Sequence, residues 1–202
     1  MKEPAVITAK GLTAIAGLLG LEHGIYELLQ SPGKPAGILI NAVGPPCDPD
    51  TAWHACLPAL TIWPDFRIAG YLTIILSVVL LLLIFLPLQK RWGYFLFILS
   101  ALLLFSGGGF VAFLQGLFGA LILRLTPRPI KKDSKTNSRL AALWPGSLIA
   151  YLVCMLSSWL VGQFFGGLPI SMSGVVFIVI DLGLPLLAVF SAKALQATAL
   201  DG

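Results

Sequence analysis

Six polar residues stand inside segments that are otherwise apolar: Glu22, His23, Glu27, Gln115, Gln163 and Asp181. His23 and Glu27 are four residues apart. On a helix that spacing puts two side chains on one face, where they can pair or jointly hold a ligand. At 100° per residue, Thr13, Ala16, Gly17, Gly20, His23, Gly24 and Glu27 share that face. Ala16, Gly20 and Gly24 make a small-xxx-small ridge that admits a second helix closely. Glu22 points elsewhere and needs a different partner.

Depth sharpens the case. Glu22 lies about 12 Å from the outer end of its helix, Asp181 roughly 15 Å and Gln115 about 9 Å, at 1.5 Å per residue. Gln163 lies nearer the outer surface. A charge near the bilayer midplane costs at least about 2.5–3.5 kcal/mol. Acids in such places point to a site for a proton, a small cation or a polar ligand entering from outside. The plain alternative is a hydrogen-bonded network that only fixes helix packing. Pro185 lies one turn after Asp181 and frees a backbone carbonyl near that acid. A metal on His23 and Glu27 lacks a complete ligand set. A bis-histidine haem is disfavoured, because the other histidine, His54, lies in a loop. Metal and cofactor stay unassigned.

Cys47 and Cys56 stand eight residues apart among prolines and aspartates, in a loop expected outside the cell. An oxidising compartment favours a disulfide there, which would stabilise the loop by about 2–3 kcal/mol. The rival reading is a zinc site from Cys47, Asp48, Asp50, His54 and Cys56, whose spacing matches no strong zinc pattern. Cys154 sits alone in an apolar run and reads as a packed thiol.

The elements that must position these residues follow from composition. Hydrophobic residues make up 57% of the 202 and charged ones only 11%, against about 25% charged in soluble domains. So apolar a chain lacks the polar surface to face water, and lipid is the expected partner. The net charge of +4 is no nucleic-acid signature, because the basic residues sit in short gaps between apolar runs. An all-α membrane protein is expected, a helical bundle with six membrane segments in a single transmembrane domain. The segments are residues 5–29, 68–88, 94–106, 110–123, 144–165 and 171–195. Residues 30–67 form an outer loop and 124–143 an inner basic loop. No small-x-small cleavage site follows the first segment, so an uncleaved first helix is expected. Trp53, Trp63, Trp92, Trp144 and Trp159 read mostly as interfacial anchors.

Residues 94–123 are too long for one ordinary span. Ser106-Gly107-Gly108-Gly109 interrupts them, and each glycine inside a helix costs roughly 1 kcal/mol against alanine. A short or re-entrant hairpin turning at Gly107–Gly109 is therefore expected. With the hairpin, Lys2, Lys10, Lys90, Arg91, Arg124, Arg128, Lys131, Lys132, Lys135, Arg139 and Lys193 fall on one side, and Lys34 and Arg67 on the other. The positive-inside rule then places both termini in the cytoplasm.

Glu22-His23-Gly24 with Glu27 and Gln30, Pro58-Ala59-Leu60-Thr61-Ile62 with Pro64, and Lys90-Arg91 before the triple glycine resemble an uncharacterised family of small prokaryotic polytopic membrane proteins. The resemblance covers roughly residues 1–125. Where that family has Gly-Pro-Pro after the glycines, this chain has Val111-Ala112-Phe113. The resemblance implies no known activity and a prokaryotic cell membrane as the setting.

No nucleotide loop, zinc-protease motif or nucleophile elbow is present, and an enzyme is not expected. Two functions stand against each other. One is a small permease or an ion- or proton-coupled membrane subunit, with a polar site in the outer half of the membrane. The other is a non-catalytic scaffold or accessory subunit, which would dock on other membrane proteins.

Overall fold

The structure, a computed structural model, describes residues 3–41, 51–52, 58–125, 134–165, 168–169 and 174–199. Cys47, His54 and Cys56 lie outside the described residues, and so does the disulfide or zinc expectation resting on them. Each of the six apolar segments carries a helix: α1 (Pro4–Leu29), α2 (Phe66–Leu83), α3 (Trp92–Phe105), α4 (Phe110–Leu125), α6 (Gly146–Phe165) and a last helix spanning Gly174–Thr198. In that last helix Phe177–Gly183 is π-helical and Leu184–Ala199, called α7, is α-helical. The stretch expected as an inner basic loop contains a helix of its own, α5 (Ser134–Ala142).

Three helices are long and apolar enough to cross a membrane: Pro4–Leu29, Phe66–Leu83 and Gly174–Thr198. α3, α4 and Gly146–Val161 are apolar but shorter. α2 shows what the outer surface is built for. Its buried face carries Phe66, Ala69, Gly70, Thr73, Ser77, Leu80 and Leu83, while Ile68, Tyr71, Ile75, Val78 and Leu82 face outward. Large apolar side chains on the outward face, with Thr73 and Ser77 turned inward, are not the pattern of a water-soluble surface helix.

α1 runs through the middle and packs most extensively on α2 and α4. Its small residues set these contacts. A Cβ on Gly24 would lie 3.0 Å from the Gly70 carbonyl oxygen, and one on Gly17 would lie 3.1 Å from that of Ser77. On the other side Ala16 approaches Gly116 and Thr13 approaches Gly119 of α4. The wheel face read from the sequence is buried at all seven positions.

Asp65 caps α2 by accepting from the Arg67 amide at 2.6 Å. The same helix ends at Leu83, five residues before the expected boundary. Pro87 explains the early stop, since it offers no amide hydrogen and disfavours helical geometry in the residue before it.

α3 and α4 form an antiparallel hairpin. A Cβ on Gly93, at the start of α3, would lie 2.9 Å from the Ala120 carbonyl oxygen near the end of α4. At that end the Arg124 guanidinium sits 3.6 Å over the Tyr94 ring. At the other end the chain reverses through Gly107 (φ +112) and Gly109 (φ +84). Gly108 N–H donates to Leu103 O at 2.9 Å and Gly107 N–H to Leu104 O at 3.4 Å, the paired bonds of a Schellman ending.

Two short ribbons lie at the same end as this turn. β1 (Leu39–Asn41) pairs antiparallel with β3 (Pro58–Leu60), and β2 (Thr51–Ala52) with β4 (Leu168–Pro169). Trp144 Nε1 donates to Thr8 Oγ1 at 3.0 Å at the opposite end, where α1 begins.

Candidate functional site

The site starts from the glycine turn, because the α1 acid lies against it. A Cβ on Gly107 would collide with Glu27 Oε1 and stand 2.5 Å from Glu27 Cδ. A Cβ on Gly109 would stand 2.7 Å from His23 Nε2 and from its Cε1. The sequence kept these elements apart as a helix face and a hairpin turn; the fold closes one onto the other. Only glycine allows both the positive φ and the close approach at these two positions.

The backbone of the turn is hydrogen-bonded within the protein. Ser106 Oγ donates to Leu102 O at 2.9 Å, Ile62 N–H to Phe105 O at 3.0 Å and Thr73 Oγ1 to Ser106 O at 2.8 Å. With the Schellman bonds, every carbonyl from Leu102 to Ser106 has a donor. Thr61 bridges to Ser106 and is 2% exposed, so the β1–β3 ribbon lies over the turn. A chain reversal inside a bilayer is tolerated where its backbone groups are satisfied within the protein. α3 and α4, with 14 and 16 residues, are about 21 and 24 Å long. That is short of a hydrocarbon core about 30 Å thick.

Under this cover Glu27 is 0% exposed and His23 7%. Thr73 reaches the Glu27 carboxylate, but its one hydroxyl hydrogen is directed at the Ser106 carbonyl. Among the described residues neither Glu27 oxygen receives a hydrogen bond. A carboxylate without donors in such surroundings is satisfied by a proton, which it then donates, or by a cation.

Gln115 and Asp181 come together elsewhere, between α4 and the π-helical segment. Gln115 Nε2 donates to the backbone carbonyl of Asp181 at 2.9 Å. Pro185 stands four residues later with no amide to give, so Gln115 satisfies the carbonyl that the sequence reading marked as freed. Leu184 N–H reaches back five residues to Val179 O, which widens this turn of the helix. Among the described residues the side-chain Oδ1 of Asp181 is buried with no hydrogen-bond partner, as are Tyr151 Oη and Gln115 Oε1. Tyr151, fully buried on α6, lies within electrostatic reach of Asp181.

Glu22 faces neither group. It is half-buried and lines a groove between α1 and α6. The Gln163 side chain lies outside the described residues. Trp159, expected at an interface, stands within α6 and lines the groove with Glu22. Sequence reasoning passed over Thr73 and Tyr151, and read Ser106 only as part of the turn. Thr73 and Ser77 carried a signal, as paired small hydroxyls on one face of an otherwise apolar α2. Tyr151 carried none.

Among the described residues no group of three or more His, Cys, Asp or Glu side chains could hold a metal ion. Comparison with family models, with curated proteins and with solved structures returns no match, so the functional reading rests on these residues alone.

Proposed function

We propose that this chain is an integral membrane protein of six membrane segments whose buried acids handle a proton or a small cation, as in a small permease or an ion-coupled subunit. One observation carries the reading: the Glu27 carboxylate is fully buried against the glycine turn, with no hydrogen bond to either oxygen among the described residues. A group that only held helices together would be expected to have its hydrogen bonds made.

The test is ligand-linked stability in detergent-purified protein. A species held only by the folded state stabilises it by about 2.7 kcal/mol at a hundred times its dissociation constant. The wild-type unfolding midpoint should therefore move with Na⁺, K⁺ or Mg²⁺, or with pH between about 5 and 8. Glu27→Gln, which keeps the shape of the side chain, should fold and lose that response. Asp181→Asn tests in the same way whether the second acid shares the ligand. A wild type indifferent to both variables, or a Glu27→Gln protein responding like wild type, would sink the proposal.

The scaffold reading is favoured by the Gln115–Asp181 bond, whose geometry is that of structural repair in a broken helix. It becomes the better account if the acids can be replaced with no change in any ligand response.

The orientation proposed has both termini in the cytoplasm of a prokaryotic cell. Lys10, Lys90, Arg91, Arg124, Arg139 and Lys193 then face inward, as the positive-inside rule asks. In a cysteine-free background, Pro49→Cys should react with an impermeant maleimide added outside, and Ser134→Cys should react only after lysis. Labelling of Ser134→Cys in intact cells would overturn the six-segment orientation.

A further inference from the structure

Thr73 on α2 faces the Glu27 carboxyl group and has one hydroxyl hydrogen to give. That hydrogen goes to Ser106 O at 2.8 Å. Towards Glu27, therefore, Thr73 Oγ1 presents lone pairs. An ionised carboxylate also presents only lone pairs, and two such oxygens facing each other in a dry interior repel. Turning the Thr73 hydrogen towards Glu27 does not mend this, because it strips Ser106 O of its donor. A neutral carboxyl group does mend it. Its O–H donates to Thr73 Oγ1, and Thr73 still donates to Ser106 O.

We infer that the ion handled under the glycine turn is a proton, held on Glu27 as a neutral carboxyl group that donates to Thr73, and not a metal cation. The inference rests on the ion-handling reading above and names its ion. Space and ligand supply both favour it. A Cβ on Gly107 would stand 2.5 Å from Glu27 Cδ and 2.9 Å from its Oε2, so the whole carboxyl group lies against backbone. Both of its oxygens are buried, so no water-sized void touches either. Hard divalent cations take about six oxygens or more, and K⁺ needs carbonyls in place of its hydration shell. The carbonyls from Leu102 to Ser106 already accept hydrogen bonds. A proton needs no cavity and one acceptor.

Few described groups that titrate lie near this acid. His23 stands one turn earlier on α1, against Gly109, while Glu22 and Tyr26 line the α1–α6 groove. α2 carries Arg67 and Tyr71, both exposed. α3 and α4 carry Tyr94 and Arg124 at the opposite end of the hairpin, and β1 and β3 carry none. His23 is therefore the neighbour whose titration must be separated from that of Glu27, since an imidazole changes charge in the same pH range.

The experiment uses the full chain in dodecyl maltoside, isotope-labelled at the carboxyl carbon of its glutamates, Glu3, Glu22 and Glu27. Infrared spectra at about pH 7, where an ordinary glutamate is ionised, should show an isotope-shifted band of a neutral carboxyl group. Glu22→Gln should keep that band and Glu27→Gln should lose it. The glutamine amide can donate to Thr73 as the neutral acid does, so this variant should fold. Because the folded state alone holds the proton, the folding equilibrium should weaken as pH rises, by up to ten-fold per unit between about 5 and 8. Glu27→Gln should lose that decline, and His23→Gln should keep it. Na⁺, K⁺ and Mg²⁺ at fixed pH and ionic strength should give no stabilisation that Glu27→Gln removes. The inference is overturned if wild type shows no neutral glutamate band, a result that needs no variant to fold, or if Glu22→Gln is the variant that loses it. A metal-ion stabilisation that depends on Glu27 would also overturn it and leave the ion-handling reading standing. A wild type whose stability ignores both pH and metal ions would sink both.

Discussion

Gly107→Ala is expected to destabilise the protein by about 2–5 kcal/mol, one of the largest effects of any single methyl group in this chain. Two costs add. Holding an alanine at φ +112 costs about 1–2 kcal/mol. The new Cβ also falls on the Glu27 carboxylate, and forcing an atom into a packed interior costs typically about 1–3 kcal/mol. The two costs can be separated, because the second needs Glu27 and the first does not. In a Glu27→Ala background the collision vanishes, and the same substitution should cost only about 1–2 kcal/mol. Unfolding of the four proteins in one detergent gives the cycle. An equal cost in both backgrounds would mean that the turn does not rest on Glu27. The close seating of glycine backbone on acid, from which the functional reading starts, would then be lost.

How much of this was legible beforehand depends on the range of the interaction. The hairpin was legible because three successive glycines contradict a helix interior and because charge placement needed an even number of crossings. Both signals are local or additive along the chain. The buried face of α1 was legible because a 3.6-residue period fixes which side chains share a side. The same wheel separated Glu22 from His23 and Glu27, and Glu22 does line a different space. What covers each face was not legible. Nothing in Ser106-Gly107-Gly108-Gly109 says that the turn will close over an acid about eighty residues earlier. That contact is set by α1, longer than α3 and α4, passing beside a hairpin that stops short. Depth along the helix axis put Asp181 and Glu27 in one expected site. Their nearest partners differ because depth leaves the angle around the bundle unspecified. α5 was missed because Ser134–Ala142 is polar, and hydropathy marks only helices that bury apolar surface.

Gln115→Leu is expected to cost about 1–2 kcal/mol, and nearly all of that cost should depend on a proline seventy residues away. Gln115 donates to the Asp181 carbonyl because position 185 has no amide to offer it. Leucine is close in size and fills the space, but it takes the Gln115 donor away from that carbonyl. An orphaned buried acceptor costs about 1–3 kcal/mol. The loss is partly offset, since leucine also removes Gln115 Oε1, itself buried without a hydrogen-bond partner among the described residues. In a Pro185→Ala background an amide returns four residues after Asp181, and the π-helical turn can relax towards an α-helix. There Gln115→Leu should cost less than about 0.5 kcal/mol, giving a coupling of about 1 kcal/mol or more between residues on two helices. Equal costs with and without the proline would mean that the Gln115 amide does not repair the break. The outcome also bears on function. If the coupling holds and Asp181→Asn has no effect on any cation or pH response, this second polar group is a splint for a broken helix. Only the acid under the glycine turn would then remain as the candidate ion-handling group, with neither carboxylate oxygen hydrogen-bonded among the described residues.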